Sequence, residues 1–98
     1  MKTYVAWMTV KAAEKVKELL PTHKEHLEKL KVKNRLVLSG PFLIPEYSGG
    51  IMIFKAESFE EAKDVMENDP FIRNEVEDYD LRELAMTTHT KKDFVSYH

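Results

Sequence analysis

Cysteine is absent from all 98 residues. That absence excludes disulfide scaffolds, thiolate metal centres and cysteine nucleophiles. Glycine is almost as scarce: there are three, and the only adjacent pair, Gly49-Gly50, opens a strand-like segment rather than a helix. Glycine-rich loops that cradle phosphates or dinucleotides at a helix N-terminus are therefore excluded too. No apolar run approaches the roughly 20 residues of a membrane-spanning helix. The start, Met1-Lys2-Thr3-Tyr4-Val5, enters strand-like sequence with no signal-peptide pattern, so a cytoplasmic protein without a membrane partner is expected. Charge of one sign is also lacking: 15 Lys and Arg stand against 17 Asp and Glu, for a net charge of −2. The concentrated basic face of a nucleic-acid binder is missing, so no nucleic-acid partner is expected. The lysine-rich run from Lys24 to Lys33 is broken by Glu25 and Glu28, and reads as a solvated helix face with Glu25–Lys29 pairing at i,i+4.

What is present fits one domain. An apolar share of 43% and a charged share of 33% are those of a globular chain with a well-charged surface. Thr3 to Val10 alternates as a strand, with Tyr4, Ala6, Met8 and Val10 on one face and Val5, Trp7 and Thr9 on the other. From Lys11 to about Lys33 the period becomes helical. Val16, Leu20, His23, Leu27 and Leu30 share one helix face, which turns the His23 imidazole inward with the leucines. Pro21 interrupts this segment, and Thr22-His23-Lys24-Glu25 has a capping-box pattern. The main helix is therefore expected to start at Thr22, after a shorter helix or turn over Ala12 to Leu20, with His23 in its first turn. Asn34 and Arg35 close it, and Leu36 to Phe42 forms the second strand.

Leu43 to Gly50, containing Pro45, reads as a hairpin-type connection to a third strand, Ile51 to Ala56. Ser58-Phe59-Glu60-Glu61 is a second capping box. It opens a helix whose inward stripe is Phe59, Ala62, Val65, Met66 and Asp69, stopped by Asn68-Asp69-Pro70. Phe71 to Glu75 adds one further turn, and Val76 to Thr87 is the fourth strand. The domain thus covers residues 1–87, and 88–98 is a polar tail carrying Phe94 and Tyr97.

The order β-α-β-β-α-β is the ferredoxin-like plan: a four-stranded antiparallel sheet, α+β in class, with both helices on one face. Two helices cover one face only, yet the strands carry apolar side chains on both. Trp7, Val5 and part of the Ile51–Phe54 strand would remain wet, and pairing of two copies through their sheets is the natural remedy.

His23 followed by Leu27 and Leu30, then Arg35-Leu36-Val37-Leu38-Ser39-Gly40-Pro41-Phe42, Gly50-Ile51-Met52-Ile53-Phe54, Ser58-Phe59-Glu60-Glu61-Ala62 and Asn68-Asp69-Pro70-Phe71 stand in an order that resembles the YciI-like family of the dimeric α+β barrel superfamily. The resemblance runs from Tyr4 to about Thr87. It implies the same fold, paired sheet to sheet into a homodimeric barrel, and an active-site His and Asp that correspond to His23 and Asp69. It implies small-molecule chemistry as well: a characterised relative eliminates chloride from a chlorinated hydroquinone, and muconolactone isomerases are similar in architecture. The chain departs from the family at Glu75, where members commonly have glycine, and in the tail that runs past the usual end.

An inward histidine and an inward carboxylate suggest general acid/base catalysis, with Asp69 accepting one ring N–H and the other nitrogen exchanging a proton with a small substrate. Ser39 and the Gly40-Pro41 bend end the second strand, and with Phe71 are expected to contact the ligand. Ser39 lacks an elbow motif and is not read as a nucleophile. Structural readings stand beside these: His23 as a half-buried histidine bonded to backbone, and Asp69 as the N-cap of the Pro70–Asn74 turn. His23 and His26 have a spacing compatible with metal ligation alongside Asp69, but the pattern is far from a zinc motif, and neither metal nor cofactor is expected. The functional expectation is a lyase- or isomerase-type enzyme acting on a small cyclic or carboxylated metabolite. The alternative is a non-catalytic metabolite-binding or accessory module of the same fold.

Overall fold

A computed structural model of the chain describes residues 1–86; the expected tail 88–98 lies outside the described residues. β1 (Lys2–Val10), β2 (Leu36–Pro41), β3 (Gly49–Ala56) and β4 (Glu77–Glu83) form one antiparallel sheet in the order β2-β3-β1-β4. α1 (Val16–Val32), α2 (Phe59–Glu67) and the short α3 (Pro70–Arg73) connect them. The alternation of β1 sorts the faces. Tyr4, Ala6 and Met8 are buried with Met52 and Phe54 of β3 and Ala62 and Met66 of α2, whereas Trp7 on the other face is 54% exposed. An extra residue, Val37, bulges β2 between Leu36 and Leu38, so that Leu36 and Ser39 both share the helix-covered face.

The helix boundaries differ from the sequence expectation in two places. α1 is continuous through Pro21 rather than starting at Thr22. Proline removes the N–H that would bond the Lys17 carbonyl, but Val16, Leu19 and Leu20 before it pack with Phe71 and Val76, Leu27 and Leu30 after it pack on the main core, and that packing on both sides outweighs the lost bond. The Thr22 hydroxyl donates back to the Leu19 carbonyl at 2.9 Å instead of capping. His23 therefore lies in the middle of α1, not in a first turn. Asp69 does not end the second helix. α2 stops at Glu67 with Asn68 as its C-cap, and Asp69 is the N-cap of α3. Ser58 caps α2 as expected, accepting from the Glu61 N–H at 3.1 Å. Phe59, expected inside, is 47% exposed; it meets the edge of the Tyr4 ring from the rim of the core. Glu25 and Lys29 form no ion pair; both line an open hollow on the α1 surface.

Two helix ends are closed by the same device. Asn34 takes a left-handed φ of 58°, with Arg35 N–H donating to Leu30 O and Asn34 N–H to Lys31 O. Glu75 has the same φ, with Val76 N–H donating to Phe71 O and Glu75 N–H to Ile72 O. These are Schellman caps. The second returns the chain into β4, whose first residue is Glu77. Strand ends are pinched by glycine: a side chain on Gly49 (φ 146°) would put its Cβ 1.9 Å from the Met8 carbonyl oxygen. No helix among the described residues is long and apolar enough to cross a membrane.

Candidate functional site

β1 and β2 stop, and β3 and β4 begin, at the same end of the sheet. There the sheet faces the N-terminal half of α1 across a cavity of about 630 Å³. Its floor is apolar, from Met8, Val10, Leu20, Leu27 and Met52, with the polar groups of His23, Ser39 and Glu77 set into it. A few convergent polar groups in an apolar cleft are the usual make-up of a small-ligand site.

His23 reaches the cavity from α1, and Asp69 meets it from behind. The carboxylate is fully buried, with Oδ1 and Oδ2 2.9 and 3.0 Å from His23 Nδ1. Oδ1 also accepts the Phe71 N–H at 2.9 Å, which is the N-cap bond of α3. One side chain thus starts a helix and orients an imidazole. A carboxylate only accepts, so Nδ1 carries the proton. Nε2 has no hydrogen-bond partner among the described residues, and the His23 side chain is 12% exposed. The Phe71 ring, 4% exposed, stacks on the imidazole with centroids 4.2 Å apart and an interplanar angle of 11°. Ring orientation is therefore fixed along one edge and across one face.

The other expected residues also line the cavity: Ser39, Gly40 and Pro41 along the end of β2, and Phe71 beside His23. A Cβ on Gly40 would meet nothing within 4 Å, so open space, not packing, surrounds this glycine. His26 belongs elsewhere. It faces a separate hollow with Arg35, Glu61 and Asp64, and burial pulls its pKa down. Arg35, just before β2, and Glu61 of α2 form an ion pair in that hollow. His23 and His26 thus serve different cavities, and among the described residues no group of three or more potential metal ligands converges.

Glu77 is the cavity residue that the sequence reading did not single out. It is 6% exposed, and its Oε1 has no hydrogen-bond partner among the described residues. Burial pushes its carboxyl up from 4.5 to about 7, with His23 opposing the shift and Asp69 reinforcing it. The signal was in the alternation of the last strand, where Glu77 shares a face with Tyr79 and Leu81 while Asp78, Asp80 and Arg82 take the other. Glu46 and Tyr47, from the loop between β2 and β3, complete the wall and were likewise not foreseen.

The YCII-related domain matches residues 2–85. The chain belongs to that family. Among curated relatives it is similar to the uncharacterized protein YjpA of Bacillus subtilis (strain 168), 29% identical over 86 residues that make up 88% of this chain and 98% of YjpA. Among solved structures it is similar to 5-chloro-2-hydroxyhydroquinone dehydrochlorinase (TftG) from Burkholderia phenoliruptrix AC1100, determined in complex with 2,5-dihydroxybenzoquinone. That likeness has a TM-score of 0.75 at 20% identity and covers 94% of this chain and 99% of TftG. At that identity it shows the YCII fold.

Proposed function

We propose that this YCII-family chain is a small-molecule enzyme in which His23 moves a proton on a small cyclic or carboxylated metabolite during an elimination or an isomerisation. The single observation that supports this most is the contact of both Asp69 oxygens with His23 Nδ1. It holds the proton on Nδ1, leaves Nε2 as the base, and stabilises the imidazolium once the base has taken a proton. Ser39, Gly40, Pro41 and Phe71 shape the ligand's place beside it. TftG is named for acting on a chlorinated hydroquinone and was solved with a dihydroxyquinone; this favours an oxygen-bearing ring as the substrate class here. The working form is a homodimer that covers the apolar sheet face.

The test uses Asp69→Asn, which keeps a cap oxygen for the Phe71 N–H but turns an amide N–H toward His23 Nδ1. The imidazole then carries its proton on Nε2 and has no base to offer. Nitrogen NMR of the ring is expected to report Nδ1–H in the wild type and Nε2–H in the variant. Turnover of 5-chloro-2-hydroxyhydroquinone, read as chloride release, is expected to fall by about 10²–10⁴-fold in the variant. An unchanged tautomer removes the acid/base reading. Binding of 2,5-dihydroxybenzoquinone with no turnover of ring substrates by the wild type leaves a metabolite-binding module instead.

A further inference from the structure

Glu77 is a buried acid with no task in the His23–Asp69 chemistry. It opens β4 on the helix-covered face, paired with Val10 of β1. The residue is 6% exposed and lines the cavity that His23 also lines, and its inner oxygen, Oε1, is buried without a hydrogen-bond partner among the described residues. A purely structural acid at such a depth finds a cation or an N–H, because an unpaired buried carboxylate is strongly disfavoured. Lys11 does not serve. Its Nζ lies 3.0 Å from Asp78 and 3.9 Å from Glu75, the two acids that flank Glu77 in sequence. The titratable groups that act on Glu77 are His23 from α1 and Asp69 from the cap of α3. Lys24, Glu46 and Tyr47 lie on the same cavity wall.

A carboxylic acid fits this position where a carboxylate does not. Burial, the largest effect, favours the protonated form; His23 opposes it and the negative Asp69 adds to it. The acid proton then has no acceptor among the described residues, so the acceptor comes with the ligand. We propose that Glu77 is a hydrogen-bond donor in the cavity, meeting the ligand as a carboxylic acid and binding an oxygen on it from the sheet wall while His23 works from the helix wall. The proposal rests on the His23–Asp69 reading and adds a ligand requirement to it: a carbonyl or enolic oxygen. When His23 removes a proton, negative charge gathers on that oxygen, and the acid stabilises it without surrendering its own proton.

The first experiment needs no ligand. Carbon NMR of glutamate carboxyls in the full chain is expected to show one group titrating near neutrality that is missing from Glu77→Gln. If every glutamate titrates in the ordinary range, around 4 to 5, the proposal is overturned whatever the chain binds. The second uses 2,5-dihydroxybenzoquinone as the probe. Wild-type affinity is expected to fall by up to about tenfold per pH unit above neutrality as the acid ionises, beyond any slope that Glu77→Gln retains. Glu77→Gln keeps a neutral donor and is expected to hold its affinity at about pH 8.5 within roughly threefold of its value at about pH 6. Glu77→Leu, which fills the space without a donor, is expected to bind at least about tenfold more weakly at the lower pH. Equal pH slopes in wild type and Glu77→Gln, or wild-type affinity in Glu77→Leu, overturn the proposal. A wild type that ignores the probe at every pH counts against the quinone-like substrate class of the preceding reading, and the carboxyl titration then decides Glu77 by itself.

Discussion

Asp69 and Glu77 are both buried acids, and their surroundings give them opposite characters. Asp69 accepts from an N–H of the backbone and from the imidazole, so its negative charge is met on both oxygens. Glu77 has no such partner on Oε1 among the described residues, and burial raises its carboxyl from 4.5 to about 7. The raised value carries a stability consequence whose sign is fixed. Between those two values the folded chain holds a proton that the unfolded chain has released, so stability declines as pH rises through that window. Below the window both states are protonated; above it both are ionised and the loss is complete. Urea denaturation at about pH 4.5 and about pH 8 is expected to show the wild type losing on the order of 3 kcal/mol more than Glu77→Gln across the interval. Equal losses would place the Glu77 carboxyl in the ordinary range.

At the scale of elements, the turn from α3 into β4 sets where Glu77 stands. Its Schellman cap requires a left-handed residue, and the chain places Glu75 there at φ 58°. A side chain in that conformation costs about 1 kcal/mol relative to glycine. The Glu75 side chain is 82% exposed, and its 3.9 Å approach to Lys11 is a surface contact of little weight. Glu75→Gly is therefore expected to raise stability by about 0.5–1 kcal/mol in chemical denaturation, with the cavity unchanged. A loss of stability would mean that the carboxylate contributes more than its geometry indicates.

Across the whole molecule, the two faces of the sheet have unequal fates. The helices bury Tyr4, Ala6, Met8, Met52 and Phe54. On the other face Trp7 is 54% and Leu38 46% exposed, and the Trp7 ring lies 4.6 Å from that of Phe42. Ile51 and Ile53 extend the same surface along β3, while β4 presents Asp78, Asp80 and Arg82. The apolar area is thus concentrated on β1, β2 and β3, as a self-complementary interface would need. Sedimentation at micromolar concentration is expected to give about twice the 11.5 kDa chain mass. Trp7→Asp, which sets a second carboxylate opposite Asp80, is expected to give the monomer. A wild-type monomer would end the proposal of pairing through the sheets.

Periodicity alone determined the four strands, the two main helices and their order, because each amphipathic segment states which face must be covered. It also selected His23, since an imidazole in a row of leucines is conspicuous in one dimension. Local rules failed where two elements compete for one residue. Pro21 reads as a break until the packing on both sides of it is known. Asp69 reads as the end of one helix or the start of another until the backbone shows which N–H it accepts. Glu77 was visible only as one member of an alternating strand. Its burial and its missing partner arise from how β4, β1 and α1 close around the cavity, and so does the contact of His23 with an acid 46 residues away. Sequence fixes which faces turn inward, because hydrophobic burial is a property of each segment. Only the tertiary structure decides which polar groups meet there, because that depends on segments far apart in the chain arriving at one place.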